Sequence, residues 1–311
     1  MAVQESNEYL VTSVIVVYKT DPTELGGAIR SCLESSTRVR VLVVDNSPDD
    51  ELSALCSALG AEYTHTHKNL GYGAAHNIGF NIAPPSKYHL ILNPDVVFGP
   101  YTLEKLVAFL DANESVGLVM PHVQYPDGSG QNLCKRLPTP FNIFMRRVFP
   151  RSLQHLFQRS IDRFETADVV RDRPLSIPCL SGCFMLLRKT ALDEVGLFDE
   201  RFFMYFEDFD LSRRIRQKYQ TVYYPDVTIT HRHERGSFKS KKLLLHGICS
   251  AIKYFNKWGW VVDGERKRLN HLVGPFSTPP SLDTFMPTTT NCSIQANRAG
   301  MGQYDESSET R

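Results

Sequence analysis

The sequence predicts an α/β protein whose sheet is mostly parallel and flanked by helices. Three observations carry this. Runs of β-branched residues alternate with segments of helical period through about the first 125 residues. Two of those runs stop abruptly on an acid, Asp45 in "VVDNSPDD" and Asp95 in "LNPD", and parallel sheets hold ligands at the carboxyl ends of their strands. Composition is that of an ordinary globular chain, 42% hydrophobic and 22% charged over 311 residues, which provides for a sizeable core.

Each element follows from its pattern. "LVTSVIVVY" (Leu10 to Tyr18) reads as a buried strand. A helix follows with Leu25, Ile29, Cys32 and Leu33 on one face, then the strand Val39 to Asp45. Leu52, Leu55 and Leu59 mark the next helix, and "AEYTHTH" a weak strand. "GAAHNIGFNIA" is helical despite its glycine, and "HLILNPD" returns to strand. Leu103, Leu106, Val107 and Leu110 make another helix before the strand "GLVMPHV". Beyond it the pattern is mixed. "PTPFNIFMRRVFPRSLQHLFQRSIDRF" reads as a basic amphipathic helix or helix pair broken near Pro150, and "SGCFMLLRK" as a strand. "EDFDLSRRIRQKY" is a helix that opens with acids and closes with bases, as the helix dipole favours. "QTVYYPDVTITHRH" reads as two short strands, and "SKKLLLHGICSAIKYFNKWGW" as a final helix. The expected division is 10–125, 126–262 and a Pro/Thr/Ser-rich disordered tail at 275–311.

Charge is informative by its distribution, since the net value is only +1. Lys135 to Arg159 holds six basic residues and no acidic one, and Arg232 to Arg268 holds ten basic against three acidic. Basic blocks interleaved with aromatics suit an anionic surface, and no nucleic-acid partner is expected. The seven cysteines are scattered, and Cys179 and Cys183 lack the second pair of a zinc site, so a reduced compartment is the simplest reading. "MAVQESNEYL" lacks a signal-peptide core, and no apolar run approaches the ~18 residues that span a bilayer. The protein is expected in the cytoplasm.

Four segments offer chemistry. Asp45, at a strand end, can accept hydrogen bonds from a nucleobase or ribose, although an Asx turn explains it as simply. Gly71-x-Gly73, with Asp95 22 residues on, imitates a dinucleotide fingerprint. However, His76 occupies the third glycine position and the loop follows the third strand, so an NAD-dependent oxidoreductase is the weaker reading. Asp95 suits Mg²⁺ or Mn²⁺ shared with substrate phosphates, and His231 or His233 in "THRHERGS" can supply a further ligand. Glu207, Asp208 and Asp210 in "YFEDFDL" put more negative charge at one helix start than capping requires, which suits a general base.

Taken in order, "TSVIVVYKTD", "VVDNSPDD", "NLGYGAAHNIGF", "LNPD" and "SGCFMLLRKTALDEVGLFDERFFMYFEDFDL" resemble a family 2 glycosyltransferase of the GT-A type. The resemblance runs from Thr12 to Trp258, and the "NPD" and histidine variants look most like the bacterial rhamnosyltransferases that build surface polysaccharides such as O-antigen. It implies a mostly parallel nucleotide-binding sheet in 10–125 and a smaller mixed acceptor-side region in 126–262. It further implies an inverting transfer from a nucleotide-sugar donor, dTDP-rhamnose first, to a glycan or lipid-linked oligosaccharide. Asp45 would hold the base beside Val17 and Tyr18, and Asn69, Gly71 and Asn77 would line the donor site. Asp95 and His231 would hold Mg²⁺ or Mn²⁺, with Asn93 standing where the family has its first acid. Gly182 and Asp210 would lie on the acceptor side. Asp208 would be the catalytic base, its pKa kept low by the helix N-terminus, with Glu207 orienting the acceptor. Phe141, Phe144, Phe149 and Phe157, with Arg146, Arg147 and Arg151, would rest on an anionic membrane surface at the cytoplasmic face of the inner membrane. A non-catalytic scaffold of the same fold is the remaining alternative.

Overall fold

A computed structural model describes residues 9–147, 155–232 and 241–277. The chain begins with β1 (Val11–Val17), α1 (Pro22–Leu33), β2 (Val39–Asp45), α2 (Ser53–Leu59), β3 (Glu62–His65), α3 (Tyr72–Ile82) and β4 (Tyr88–Leu92). A two-residue β5 (Val96–Val97), α4 (Thr102–Ala112) and β6 (Val116–Gln124) follow. The second part holds α5 (Pro140–Arg147), α6 (Gln158–Phe164), β7 (Leu175–Ser176), β8 (Phe184–Arg188), α7 (Lys189–Val195) and α8 (Glu207–Arg216). It ends with β9 (Gln220–His231), α9 (Lys241–Trp258), α10 (Gly264–His271) and β10 (Gly274–Pro275).

The strands form one sheet in the order β10-β7-β9-β6-β8-β4-β1-β2-β3, with β5 pairing off the path on β9. β4, β1, β2 and β3 run parallel. β8 lies antiparallel between β4 and β6, so the segments before and after residue 125 share a single sheet. β1 shows why the sheet is covered on both faces. Its residues Val11, Ile15 and Val17 join the core under α1, α2 and α4, whereas Val14 and Val16 join the core under α3, α7 and α8. This is the two-residue period of a strand buried on both sides. A third cluster, around Phe206, Phe209, Tyr254 and Phe255, ties α8 to α9.

Several local expectations change. "QTVYYPDVTITH" is one strand, because the Pro225-Asp226-Val227 bulge shifts the register against β6 without ending the pairing. Leu33 is 41% exposed and does not join the buried face of α1. The expected tail starts too early: Gly274–Pro275 pairs with β7 and Phe276 packs on Phe109, while residues from 278 lie outside those described. The expected break at Pro150 also lies outside them.

The glycines of α3 let the helix approach the sheet closely. A Cβ on Gly79 would lie 2.5 Å from Val14 Cγ1 and 2.9 Å from its Cγ2. Gly79→Ala should therefore push α3 off β1 and cost about 1–3 kcal/mol of stability in denaturant titration, despite alanine's better helix propensity. A neutral or stabilising result would refute this packing.

Candidate active site

The carboxyl ends of β1 and β4 open into a cleft of about 530 Å³. Val17, Tyr18, Asn69, Gly71, Asn93 and Asp95, all expected site residues, line it together with Asn46, Tyr72 and Met204. Backbone geometry builds the cleft. The N–H of Asn46 bonds to the Val17 carbonyl at 2.9 Å, and Lys19, at φ 52, bonds through its N–H to Ser47 Oγ at 2.8 Å. Gly71 holds φ +90, and its missing Cβ leaves room for the Phe203 carbonyl, which accepts from the Tyr72 N–H at 2.9 Å. Gly71 thus starts α3 against the 203 loop, an ordinary tertiary use of the Gly-x-Gly pattern.

Three expected site residues lie elsewhere because other groups absorb their polar atoms. Asp45 is fully buried, accepting from the Ser47 N–H at 2.7 Å and the Tyr63 hydroxyl at 2.9 Å. It shapes the loop, and its neighbour Asn46 faces the cleft, braced by the Gly71 carbonyl and the Thr66 hydroxyl. Asn77 spans 121 residues to clamp the Phe198 backbone through both its amide nitrogen and its oxygen. Asp210, also fully buried, accepts from Arg214, Trp258 and Lys257, and so anchors α8 to α9 instead of facing an acceptor.

Asp95 and His231 do come together. β5 pairs with β9 in a register that sets Val96 opposite His231, leaving His231 Nε2 3.3 Å from Asp95 Oδ1. The other ring nitrogen lies 3.0 Å from Gln131 Oε1, while the Gln131 amide nitrogen donates to the His231 carbonyl at 2.6 Å. That second bond orients the glutamine amide, so its oxygen accepts Nδ1–H and Nε2 is the atom aimed at Asp95. Burial opposes protonation of His231, but the bonds to Asp95 and Cys183 outweigh it and hold the pKa up at about 10. His233 lies outside the described residues.

The Nε2 proton held between these two groups is the one a divalent cation would displace, and with it gone Nε2 and the Asp95 carboxylate would both be donors. Adjacent ligands on an octahedral ion with bonds of about 2.1 Å stand about 3.0 Å apart, close to the observed spacing. Among the described residues no third His, Cys, Asp or Glu joins them, so substrate oxygens and water would complete the shell. Asn93 sits at the same mouth and accepts from the Tyr72 hydroxyl at 2.9 Å.

Tyr72, which sequence reasoning missed, joins the two sides of the site. Its hydroxyl is also 2.7 Å from the Gly182 carbonyl, and Glu207, Asp208 and Asp95 all act on it electrostatically. Burial first, and Glu207 second, push its pKa well above the phenol range, so it stays a hydrogen-bond donor. Gly182 packs between Tyr72 and Asp208: a Cβ there would meet them at 3.5 and 3.7 Å. The chain enters α8 through Tyr205 and Phe206, both left-handed at φ 67 and 70. For bulky residues this is strained by roughly 1–3 kcal/mol each, and it aims the acids that follow.

Burial raises the pKa of both acids, correcting the expectation of a low value for Asp208. Lys135 and the N–H groups of Phe209 and Gly182 favour ionised Asp208. Glu207 Oε2 is buried without a hydrogen-bond partner among the described residues, and burial followed by the charge of Asp208 raises Glu207 to about 8. Burial and the neighbouring charge of Asp208 therefore favour a neutral Glu207, and the two acids titrate as one coupled pair. A carboxyl raised in the folded state contributes stability below its unfolded pKa, near 4.5, which is lost as pH rises through about 8. Denaturant titration at pH about 5 and about 8 should show that loss, and Glu207→Gln should reduce it; an equal loss in the variant would place the titrating group elsewhere.

The family model for Glycosyl transferase family 2 matches residues 13–196, spanning β1 through α7. The chain belongs to this family. This transferase is 29% identical over 268 residues to N-acetylglucosaminyl-diphospho-decaprenol L-rhamnosyltransferase of Mycobacterium tuberculosis (strain CDC 1551 / Oshkosh), covering 78% of this chain and 85% of the relative. Its fold is similar to the mannosyltransferase PcManGT of Pyrobaculum calidifontis in complex with GDP-Man and Mn²⁺, with a TM-score of 0.55 and 14% identity, covering 86% of this chain and 69% of that one. It is also similar to GalNAc-T7 with UDP, GalNAc and Mn²⁺, with a TM-score of 0.54 and 15% identity, covering 73% of this chain and 44% of that one. The transferase therefore has the GT-A fold. Among its described helices none is long and apolar enough to cross a membrane.

Proposed function

We propose that this transferase moves L-rhamnose from dTDP-rhamnose to a lipid-linked diphospho-sugar in surface polysaccharide synthesis, with inversion at the anomeric carbon. The observation that carries this reading is the placement of Asp208 across Tyr72 and Gly182 from the cleft that ends on Asp95 and His231. The choice of sugar and acceptor is supported by the name of the mycobacterial relative. Residues 10–125 supply the donor side, and 126–262 the acceptor side and the contact with the cytoplasmic membrane face.

In this reading the nucleoside lies against Val17, Tyr18 and Asn46, and Asn69 and Gly71 border the sugar-diphosphate. Asp95 and His231 would hold Mg²⁺ or Mn²⁺, which would neutralise charge on the leaving diphosphate. Ionised Asp208 takes the proton of the acceptor hydroxyl as its oxygen bonds to the anomeric carbon. The bond to the diphosphate breaks on the opposite face in the same displacement, so no glycosyl-enzyme forms. Protonated Glu207 keeps a second negative charge away from Asp208.

Thermal shifts with dTDP, UDP, GDP and NAD, each with and without Mn²⁺, test the donor half. A ligand near 100 times its dissociation constant adds about 2.7 kcal/mol. Stabilisation by dTDP that grows with Mn²⁺ is expected, and Asp95→Asn should abolish the Mn²⁺ increment. Stabilisation by NAD alone would overturn the reading, and silence with every nucleotide would favour a non-catalytic scaffold.

A further inference from the structure

The face built by α5, α9 and the turn after α9 is apolar and exposed. On α9, Leu244, Leu245, Ile248 and Ile252 are all exposed, and their spacing gathers them on one side of the helix. α5 packs on α9 and exposes Phe141 and Phe144, whose expected membrane role this geometry suits. Phe157 is partly covered, edge-on to Phe141. Phe149, Arg151 and the side chains of Arg146 and Arg147 lie outside what is described. After α9 the chain turns at Gly259 (φ +103) and presents Val261 and Val262 with 86% and 91% of their surface in solvent.

Phe141, Val261 and Val262 also rim a cavity of about 690 Å³ between α5, α6 and α10. Past this apolar rim the lining turns basic. Arg163, Lys267 and His271 reach the cavity; Arg163 also acts on Asp168, whose carboxylate is already forked by Arg136. Two buried arginines stiffen the wall: Arg136 pairs with Asp168, and Arg266 donates to four backbone carbonyls, including those of Trp260 and Val261. Asp263, the one acid among the described lining residues, is neutralised by Arg213. The cavity also adjoins the acceptor side. Its wall residue Phe164 stacks on Phe209, the neighbour of Asp208, and Arg136 follows Lys135, whose ammonium acts on Asp208.

We propose that this cavity binds the diphosphate of a lipid-linked acceptor, with the α9 stripe and the Val261–Val262 turn seated in the bilayer. The inference rests on the transferase reading above, and it assigns the lipid end of the acceptor a site of its own. Two exposed cations and a histidine match the charge of a diphosphate better than the single charge of a phosphodiester headgroup. The apolar rim beside them is what an amphipathic ligand with its charge at the interface requires.

The test is flotation of the full chain with phosphatidylcholine vesicles that are plain, doped with a polyisoprenyl diphosphate, or doped with phosphatidylglycerol to the same charge. Binding to the diphosphate vesicles is expected to exceed both others. Arg163→Gln with Lys267→Gln should weaken it on the order of thirtyfold, from about 1 kcal/mol per interfacial charge. Val261→Ser with Val262→Ser should weaken it as well. Unchanged binding by the charge variant, equal binding to phosphatidylglycerol, or no binding would each overturn the proposal. Both cations are exposed, so the variant should keep its nucleotide thermal shift, which also reports its folding. Nucleotide stabilisation without diphosphate-lipid binding overturns the cavity and leaves the transferase reading. Diphosphate-lipid binding without nucleotide stabilisation supports the cavity and overturns the donor assignment.

Discussion

Asp208→Asn is expected to lower turnover by about 10²–10⁴-fold, the range that a positioned general base supplies. The substitution keeps the shape of the side chain and an oxygen for the Phe209 N–H, so α8 should start as before. It removes the carboxylate that would take the proton in the proposed mechanism. Donor binding should hardly change, because Asp208 lies across Tyr72 and Gly182 from the cleft proposed for the nucleotide. The measurement is kcat with saturating donor, together with the nucleotide thermal shift. A loss confined to KM for the donor would place Asp208 in the nucleotide site, and near-normal kcat would remove it from the chemistry. The variant should also lower the Glu207 pKa, since the neighbouring charge that helps raise it is gone.

The largest stability effect is expected from Arg213→Ala. Arg213 is almost wholly buried and forks onto both oxygens of Asp263, which is equally buried, with Glu265 accepting alongside. Its guanidinium stacks on the Trp258 ring at 4.2 Å. Truncation would leave Asp263 buried with the longer ion pair to Arg266 Nε at 3.9 Å in place of the fork, a loss of about 3 kcal/mol. It would also free the turn between α9 and α10 from α8, since Asp263 caps α10 through the Arg266 N–H. Denaturant titration of the full chain measures this. Arg213→Lys should recover only part of the loss, because an ammonium cannot reproduce the fork or the stacking. A change below about 1 kcal/mol for Arg213→Ala would mean that the network is worth no more than a surface pair.

The candidate site shows what each level of description can reach. Asp95, Asn93, Gly71 and Asp208 were legible because punctuation at strand ends and excess charge at a helix start are local patterns. Asp45 and Asp210 show the same kind of pattern but bond within the fold, Asp45 to the Tyr63 hydroxyl and Asp210 to the Lys257 ammonium, both distant in sequence. Tyr72 and Gln131 carried no such signal. A tyrosine at a helix start and a glutamine after a turn become meaningful only where Gly182 and His231 meet them across more than 90 residues.

The sequence by itself determined the α/β class, most of the strands and helices, the strand ends that carry Asp95 and Asn93, and the family. Those features depend on side-chain periodicity and turn chemistry, which act over a few residues. Tertiary structure alone decided that β8 enters the sheet between β4 and β6, so that one sheet carries both sides of the site. It alone decided which carboxylates face solvent and which are consumed by partners, and that burial raises the pKa of both Glu207 and Asp208. Desolvation and long-range hydrogen bonding depend on what the fold packs around a group, and no local stretch of sequence contains that information.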